Sequence, residues 1–251
     1  CSFPDPDPDP HDPLECRGMG QGLRLLPNTS VKERRLATLL EERGLPADDA
    51  GLAGLVEDAQ LLGSLELAGF RFTWDEIRSS RLSGAGRSEV LAHRRARTVV
   101  PAHAPFTVAA IRAWHEALAG PVGFRRHERQ REDAPAAPPE LIEGRLDSLA
   151  DWIEVAGARD LAPDQAAAVT LARLVEILPF EDANGRVSRL AASHLMVRGG
   201  MRPPILVAGD AARLRAALES AFRLETEPLV TLLAEASRRA LDVMIQSLSA
   251  R

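Results

Sequence analysis

The stretch that most constrains this chain is Leu178-Pro179-Phe180-Glu181-Asp182-Ala183-Asn184-Gly185-Arg186-Val187-Ser188-Arg189. It begins where one apolar helical pattern meets a proline and ends inside the first turn of the next. Pro179 cannot continue a helix and biases Leu178 out of it, so the first helix must stop there. Ala183, Asn184 and Gly185 predict a tight loop whose free N–H groups open the second helix. Such a terminus attracts anions, because orphan donors and the helix dipole both favour negative charge. Arg186 and Arg189 lie three apart, on one helix face, and can close over the same anion. Asp182 is placed to hold a hard cation bridging phosphate oxygens. The residues read as a site for a metal-bound polyphosphate.

The flanks are helical. Ala167, Leu171, Leu174 and Leu178 recur at i, i+4, i+7 and i+11 of a helix starting near Pro163, which gives Leu178 a packing role at its end. The helix beyond the loop reaches Val197 and is stopped by Gly199-Gly200; His194 shares a face with Val187, Leu190 and Val197, so burial is expected. Upstream, Ser30 with Glu33 predicts a capping box opening a helix to about Arg43, and another helix spans about 48–62. Gly69 ends a helix, and Thr73 with Glu76 forms a second capping box. From Trp74 to Arg97 the pattern is helical, with an interruption at Gly84-Ala85-Gly86. Thr107 caps a helix whose Val108, Ile111, His115 and Leu118 share a face before Gly120, so His115 reads as a buried ring. Pro138-Pro139-Glu140 starts a helix with Leu149, Trp152 and Ile153 inward. Residues 201–207 read as an extended link, followed by helices from about Asp210 and Pro228. No repeat stands out.

The 251 residues suit one or two domains and can bury a sizeable core. A formal net charge of −5 gives no basic footprint, so nucleic acid is not an expected partner. No apolar run approaches the length of a membrane span, and the leading residues are acidic, which together predict a cytoplasmic protein without a membrane partner. Cys1 and Cys16 make no disulfide framework and no zinc spacing. Residues 1–27, with prolines alternating with aspartates from Pro4 to Pro10, read as a disordered tail.

The central stretch resembles the signature of the Fic (Fic/Doc) family, His-Pro-Phe-x-Asp/Glu-Gly/Ala-Asn-Gly-Arg-x-x-Arg. It matches at Pro179, Phe180, Asp182, Ala183, Asn184, Gly185, Arg186 and Arg189, and departs at Leu178, where the family has its histidine. Ser64 to Ile77 resembles the family's regulatory turn, in which a glutamate reaches the second signature arginine and blocks nucleotide placement. That position here is Ala68. A second register around Ser79-Ser80-Arg81-Leu82-Ser83-Gly84 also lacks the glutamate. Gly123-Phe124-Arg125-Arg126-His127 resembles the entry to the family's flap, a β-hairpin that grips the target by strand addition. Residues 126–133 are almost wholly charged and lack β-branched residues, so a regular hairpin is not expected.

The resemblance covers roughly residues 60–247. It implies an all-α, Fic-type helical bundle with at most a small β-hairpin flap: an N-terminal helical region over 28–100 carrying a degenerate inhibitory turn, and a core domain over 101–251. It further implies transfer of AMP, or another phosphate-linked group, from ATP with Mg2+ to a hydroxyl acceptor. Phe180 would anchor the loop, Asp182 bind magnesium, Ala183, Asn184 and Gly185 line the phosphate pocket, and Arg186 and Arg189 balance charge on the leaving pyrophosphate. Leu178 sits where the family keeps its general base, and leucine accepts no proton; losing such a base costs about 10²–10⁴ in rate. His127 is the histidine that could stand in.

Three readings stay open: an active transferase with an atypical base or a base-free reaction on a small molecule, a nucleotide-binding pseudoenzyme, and an interaction module with a vestigial pocket. The intact phosphate and metal groups lean toward enzymology. The missing carboxylate at Ala68 predicts a pocket without a brake. Partners are the nucleotide and a protein hydroxyl or small-molecule acceptor, with a homodimer left open.

Overall fold

The computed structural model describes residues 27–79, 81–131, 135–156 and 160–250. The leading Pro/Asp run, Cys1, Cys16, Ser80 of the second register and residues 132–134 of the flap fall outside them. Ten α-helices follow in order: α1 (Pro27–Glu42), α2 (Ala50–Leu67), α3 (Trp74–Ser79), α4 (Gly84–Val99), α5 (Val108–Ala119), α6 (Ile142–Asp151), α7 (Pro163–Ile177), α8 (Asn184–Arg198), α9 (Ala211–Phe222) and α10 (Glu227–Ser249). The described residues contain no strand; the flap-entry segment has one isolated antiparallel bridge, Gln130 to Pro135. The all-α expectation therefore holds.

The centre of the molecule is the α7–α8 pair. Both present small residues to each other and their neighbours: Ala166, Ala167, Ala168 and Ala172 on α7, Ala191 and Ala192 on α8, all buried. Small faces let helix axes approach closely, and the larger Leu171, Leu174, Val187 and Leu195 fill the spaces alongside. Ile111 and Trp114 of α5, Leu146 of α6 and Leu229 and Leu233 of α10 complete this core. A second cluster joins α1, α2 and α10 through Leu36, Leu40, Val56, Leu241 and Met244. A third, smaller one seats α3 and α4 on α2 through Leu61, Leu65, Ile77 and Val90, with Phe70 and Phe72 packed at its edge.

Several expectations are corrected. Helix α1 starts at Pro27, so Ser30 lies inside the helix rather than at its cap position, and Glu33 faces Arg202 at 3.5 Å. Proline at the first helical position sacrifices no hydrogen bond, which is why the helix begins there. α2 runs on to Leu67, joining the helix expected over 48–62 to the one expected to end at Gly69, and is capped at its start by Asp49 Oδ1 accepting from the Leu52 N–H. The glycine tract at 84–86 starts α4 rather than breaking a helix: Gly84 has φ +57°, a turn that a side chain would strain. Trp152 is not inward but 36% exposed, whereas Leu149 and Ile153 are buried as expected. The Thr73–Glu76 box and the Thr107 cap form as read, with Thr73 N–H donating to Glu76 Oε2 at 2.8 Å and Ala110 N–H to Thr107 Oγ1 at 3.1 Å.

Candidate active site

Between α7 and α8 the chain twice enters left-handed backbone without glycine, at Leu178 (φ 49°) and Ala183 (φ 61°). Each such residue is strained and persists only where its surroundings over-determine it. Two side chains do so. Asn184 closes the loop on itself: its Oδ1 accepts from the Phe180 N–H at 2.9 Å and its Nδ2 donates to the Phe180 carbonyl at 2.8 Å. Arg125, 2% exposed, ties the loop's entry down from the flap side. Its Nε donates to the Leu178 carbonyl at 2.6 Å, Nη1 to His127 O at 2.7 Å, and Nη2 to Ile177 O at 3.2 Å and to Ala137 O. One guanidinium thus satisfies two carbonyls at the end of α7, groups every helix leaves orphaned. Phe180, 1% exposed, is the loop's anchor in the core, stacked on His115 at a centroid distance of 3.7 Å.

The start of α8 is different. No side chain caps it. The N–H groups of Asn184, Gly185 and Arg186 meet no acceptor among the described residues, while Ala183 N–H donates to Asp182 Oδ1 at 2.5 Å and Val187 N–H to Ala183 O at 2.9 Å. Three free amides at the positive end of a 15-residue helix make an anion cradle.

The two arginines approach it unequally. Arg189 leans on the end of α2, its Nε donating to Ser64 Oγ at 3.0 Å and its Nη2 to Ser64 O at 2.7 Å. Its remaining nitrogen, Nη1, lies against the loop: a Cβ added at Gly185 would sit 3.2 Å from it. Neither Ser64 contact supplies a negative charge. Burial, with Arg186 nearby, pushes the Arg189 guanidinium down to about 10. Arg186 is only 5% exposed, and its charge is met. Nη1 pairs with Glu89 Oε2 of α4 at 2.5 Å, Nη2 lies 3.7 Å from Asp182 Oδ2, and the guanidinium rests 5.6 Å over the Phe70 ring. The carboxylate absent from position 68 is therefore not absent from the pocket. It comes from another helix and holds the other arginine.

Asp182 is open, with 83% of its side chain exposed. No group of three His, Cys, Asp or Glu side chains suited to a metal occurs among the described residues. One exposed carboxylate beside an anion cradle fits magnesium, which takes one or two carboxylates and draws its other oxygens from phosphates and water.

Leu178 is half-buried and turns its side chain to a cleft of about 320 Å³. Its walls include Leu67, Val175, Leu214, Leu218 and Phe222, with Arg189 at one end. Arg131 lies over the Phe222 ring at 4.1 Å. His127 is exposed and joins this network through its carbonyl. His115 and His194 are both buried, and burial lowers the pKa of each. His194 Nε2 bonds to Ala104 O at 2.9 Å and its ring meets Trp114 edge-on.

Sequence reading gave no role to Glu89 or to the α9 wall of the cleft, and named Ser64 and Arg125 only as members of the regulatory-turn and flap-entry stretches. Glu89 had a signal of its own: with His93 and Arg97 it forms a polar row at i, i+4 and i+8 on one helix face.

Residues 105–196 match the sequence profile of the Fic/DOC family. A stretch of 108 residues is 32% identical to protein adenylyltransferase fic-1 of Caenorhabditis briggsae, covering 43% of this chain and 21% of that protein. Another of 98 residues is 38% identical to a uridine 5'-monophosphate transferase of Xanthomonas campestris pv. campestris, covering 37% of this chain and 18% of that one. The chain therefore spans about a fifth of the length of these relatives. In fold it is similar to a Fic domain-containing signalling protein from Bacteroides thetaiotaomicron, with a TM-score of 0.72 over 89% of this chain and 98% of that one at 19% identity. Signature, fold and relatives point the same way: residues 105–196 match the Fic/DOC family, and the chain is similar to Fic proteins in fold.

Proposed function

We propose that the chain is a Fic-type transferase moving AMP, or another phosphate-linked group, from a magnesium-bound nucleotide to a hydroxyl on a protein or small molecule. One observation carries the reading: three amides at the start of α8 have no acceptor among the described residues, and Arg189, whose Nη1 lies by Gly185, also lines a mainly apolar cleft within the usual size range of ligand pockets. The relatives named above as adenylyl and uridylyl transferases support the same class of donor.

In this reading the amides and Arg189 hold the polyphosphate, and the cleft lined by Leu178, Leu214, Leu218 and Phe222 takes the nucleoside. Asp182 holds magnesium, whose contribution is to neutralise charge on the phosphate oxygens. During transfer the acceptor oxygen bonds to the α-phosphorus, the bond to pyrophosphate breaks, and the hydroxyl proton leaves to a phosphate oxygen or water. Leu178 cannot receive it. His115 is sealed behind Phe180 and is no substitute. Residues 101–251 would form the catalytic core and 28–100 would brace it through Ser64, Phe70 and Glu89.

A second reading, nucleotide binding without transfer, is favoured by Leu178 itself, an apolar wall where a base would act. Incubation with labelled ATP and magnesium distinguishes them. Label on a protein or a small acceptor supports the transferase; binding by calorimetry with no label under any condition leaves the second reading; no binding at all rejects both.

A further inference from the structure

We propose that the small cavity behind Arg189 is a site for one ordered water molecule, which joins His93 of α4 to the hydroxyl of Ser64 and so makes His93 a positioning residue for Arg189. The water site stands on the cavity alone. The positioning role rests on the nucleotide-binding reading above.

Unmet polar capacity gives the first reason. The cavity, about 20 Å³, is lined by Gln60, Ser64, His93 and Arg189, with Leu171, Leu190 and other apolar side chains around them. His93 is buried, and neither ring nitrogen has a partner among the described residues. Ser64 Oγ accepts from Arg189 Nε at 3.0 Å, and its own proton meets no acceptor among those residues. Arg189 Nη2 carries two N–H groups and spends one on the Ser64 carbonyl at 2.7 Å. Gln60 spends both of its side-chain N–H groups, on Ser193 Oγ at 2.8 Å and Pro204 O at 3.0 Å, and keeps the lone pairs of Oε1. Buried polar groups are nearly always hydrogen-bonded, so donors and acceptors left over around one small space call for a shared partner.

Size and chemistry identify that partner. A buried water needs about 10–15 Å³ and a few polar neighbours, and the cavity supplies both. Arg189 repels a cation. The lone pairs of Gln60 Oε1 and of the unprotonated nitrogen of a neutral imidazole repel an anion. Water both donates and accepts, so it takes the Ser64 proton and gives its own to Gln60 and His93. The walls do not close the gap themselves. α2 presses on the 204–206 link so tightly that a Cβ on Gly63 would come within 1.8 Å of the Leu206 carbonyl oxygen.

The consequence falls on Arg189. A serine hydroxyl rotates to suit its partners. With the water accepting its proton, the Ser64 hydroxyl keeps a lone pair turned to Arg189 Nε. Arg189 lines both this cavity and the cleft beside Leu178, so what holds it on one side sets how it is presented on the other. His93 lines the cavity but not the cleft. It acts through the water and the serine.

The test compares the wild type with His93→Leu, His93→Asn and His93→Gln. Crystals of each, grown with bromide in place of chloride, give the first readout, because bromide scatters anomalously and water does not. The expected result is one water within hydrogen-bond distance of both His93 and Ser64 in the wild type, lost in His93→Leu. A dry cavity, or an anomalous peak in it, overturns the water site. Calorimetric titration of ATP with magnesium gives the second. His93→Leu should bind about threefold to tenfold more weakly, the worth of one neutral hydrogen bond. Asparagine sets an amide near the place of Nδ1 and glutamine near that of Nε2, so one of the two should restore affinity and the other should not. Unchanged affinity in His93→Leu, or equal losses in all three variants, leaves His93 a packing residue and overturns the positioning role. If the leucine variant does not fold, the asparagine and glutamine variants carry the comparison, and equal affinities in those two overturn it. No binding by the wild type overturns the nucleotide reading and the positioning role with it, while the crystals still decide the water.

Discussion

The two ends of α8 treat their polar groups in opposite ways. Over its second half, Ser193 Oγ accepts from Gln60 Nε2 at 2.8 Å, His194 pairs with a carbonyl and an indole edge, and Arg198 meets Glu154 at 2.6 Å. Every one of these groups has a partner, as buried polar groups do when their job is to hold a fold. At the first turn the same helix leaves three amides and one guanidinium nitrogen unmet, on a loop that holds two residues in strained backbone. The far end shows that this chain can satisfy its donors. Every helix leaves its first amides orphaned, and here no side chain caps them while Leu178 and Ala183 stand in strained backbone beside them.

The comparison can be broken or sharpened by experiment. The largest effect is expected from Leu178→His. If the open end lacks only a proton acceptor, transfer of labelled AMP should rise by about 10²–10⁴-fold; no gain, with nucleotide still bound, would mean the cradle is misarranged for chemistry.

Next comes acid stability, which reports on the polar row beneath the arginines. His93 is 1% exposed and neither ring nitrogen has a partner among the described residues, on a small cavity shared with Gln60, Ser64 and Arg189. Burial first, then Arg97, Arg189 and Arg186, lower its pKa from 6.5 to about 3. The folded state thus binds fewer protons than the unfolded chain between these values. The stability tied to the neutral ring is fully present above pH 6.5 and is lost as pH falls from 6.5 toward 3. Denaturant titrations of the wild type and His93→Leu should diverge in that window by a few kcal/mol, with the wild type the steeper. Parallel curves would mean the ring is solvated.

Arg189→Ala should weaken ATP binding by about 10–100-fold, the value of a charged hydrogen bond, whereas His194→Ala at the sealed end should lower melting temperature and leave affinity unchanged. Equal losses in both variants would erase the distinction between the ends. The smallest effect is expected at Gly185→Ala. Its Cβ would press on Arg189 Nη1 at 3.2 Å, costing several-fold in affinity with little change in stability, read by the same titration.

The signature loop was legible in the sequence because each residue type there dictates a local conformation. Pro179 stops α7, Phe180 is large enough to bury, and Asn184 can bridge a backbone. The buried rings of His115 and His194 followed from their register with apolar neighbours. What was hidden depends on distance along the chain. Glu89 reaches Arg186 across 97 positions and Arg189 reaches Ser64 across 125, and no local pattern encodes such a meeting. Ser30 and Glu33 had the right spacing for a cap, but Pro27 had already started the helix. Trp152 matched the apolar period of α6, yet it lines a surface groove with Arg145 of α6 and Arg173 of α7.

The Asn184 clasp has one more consequence. Because both halves of its amide are spent on Phe180, the loop keeps its shape with nothing bound. A ligand meets donors already aimed and need not order the chain to reach them, so little of its binding energy is consumed by folding. Association should then be set by how fast a phosphate finds the mouth, and selectivity by which groups fit the adjoining cleft.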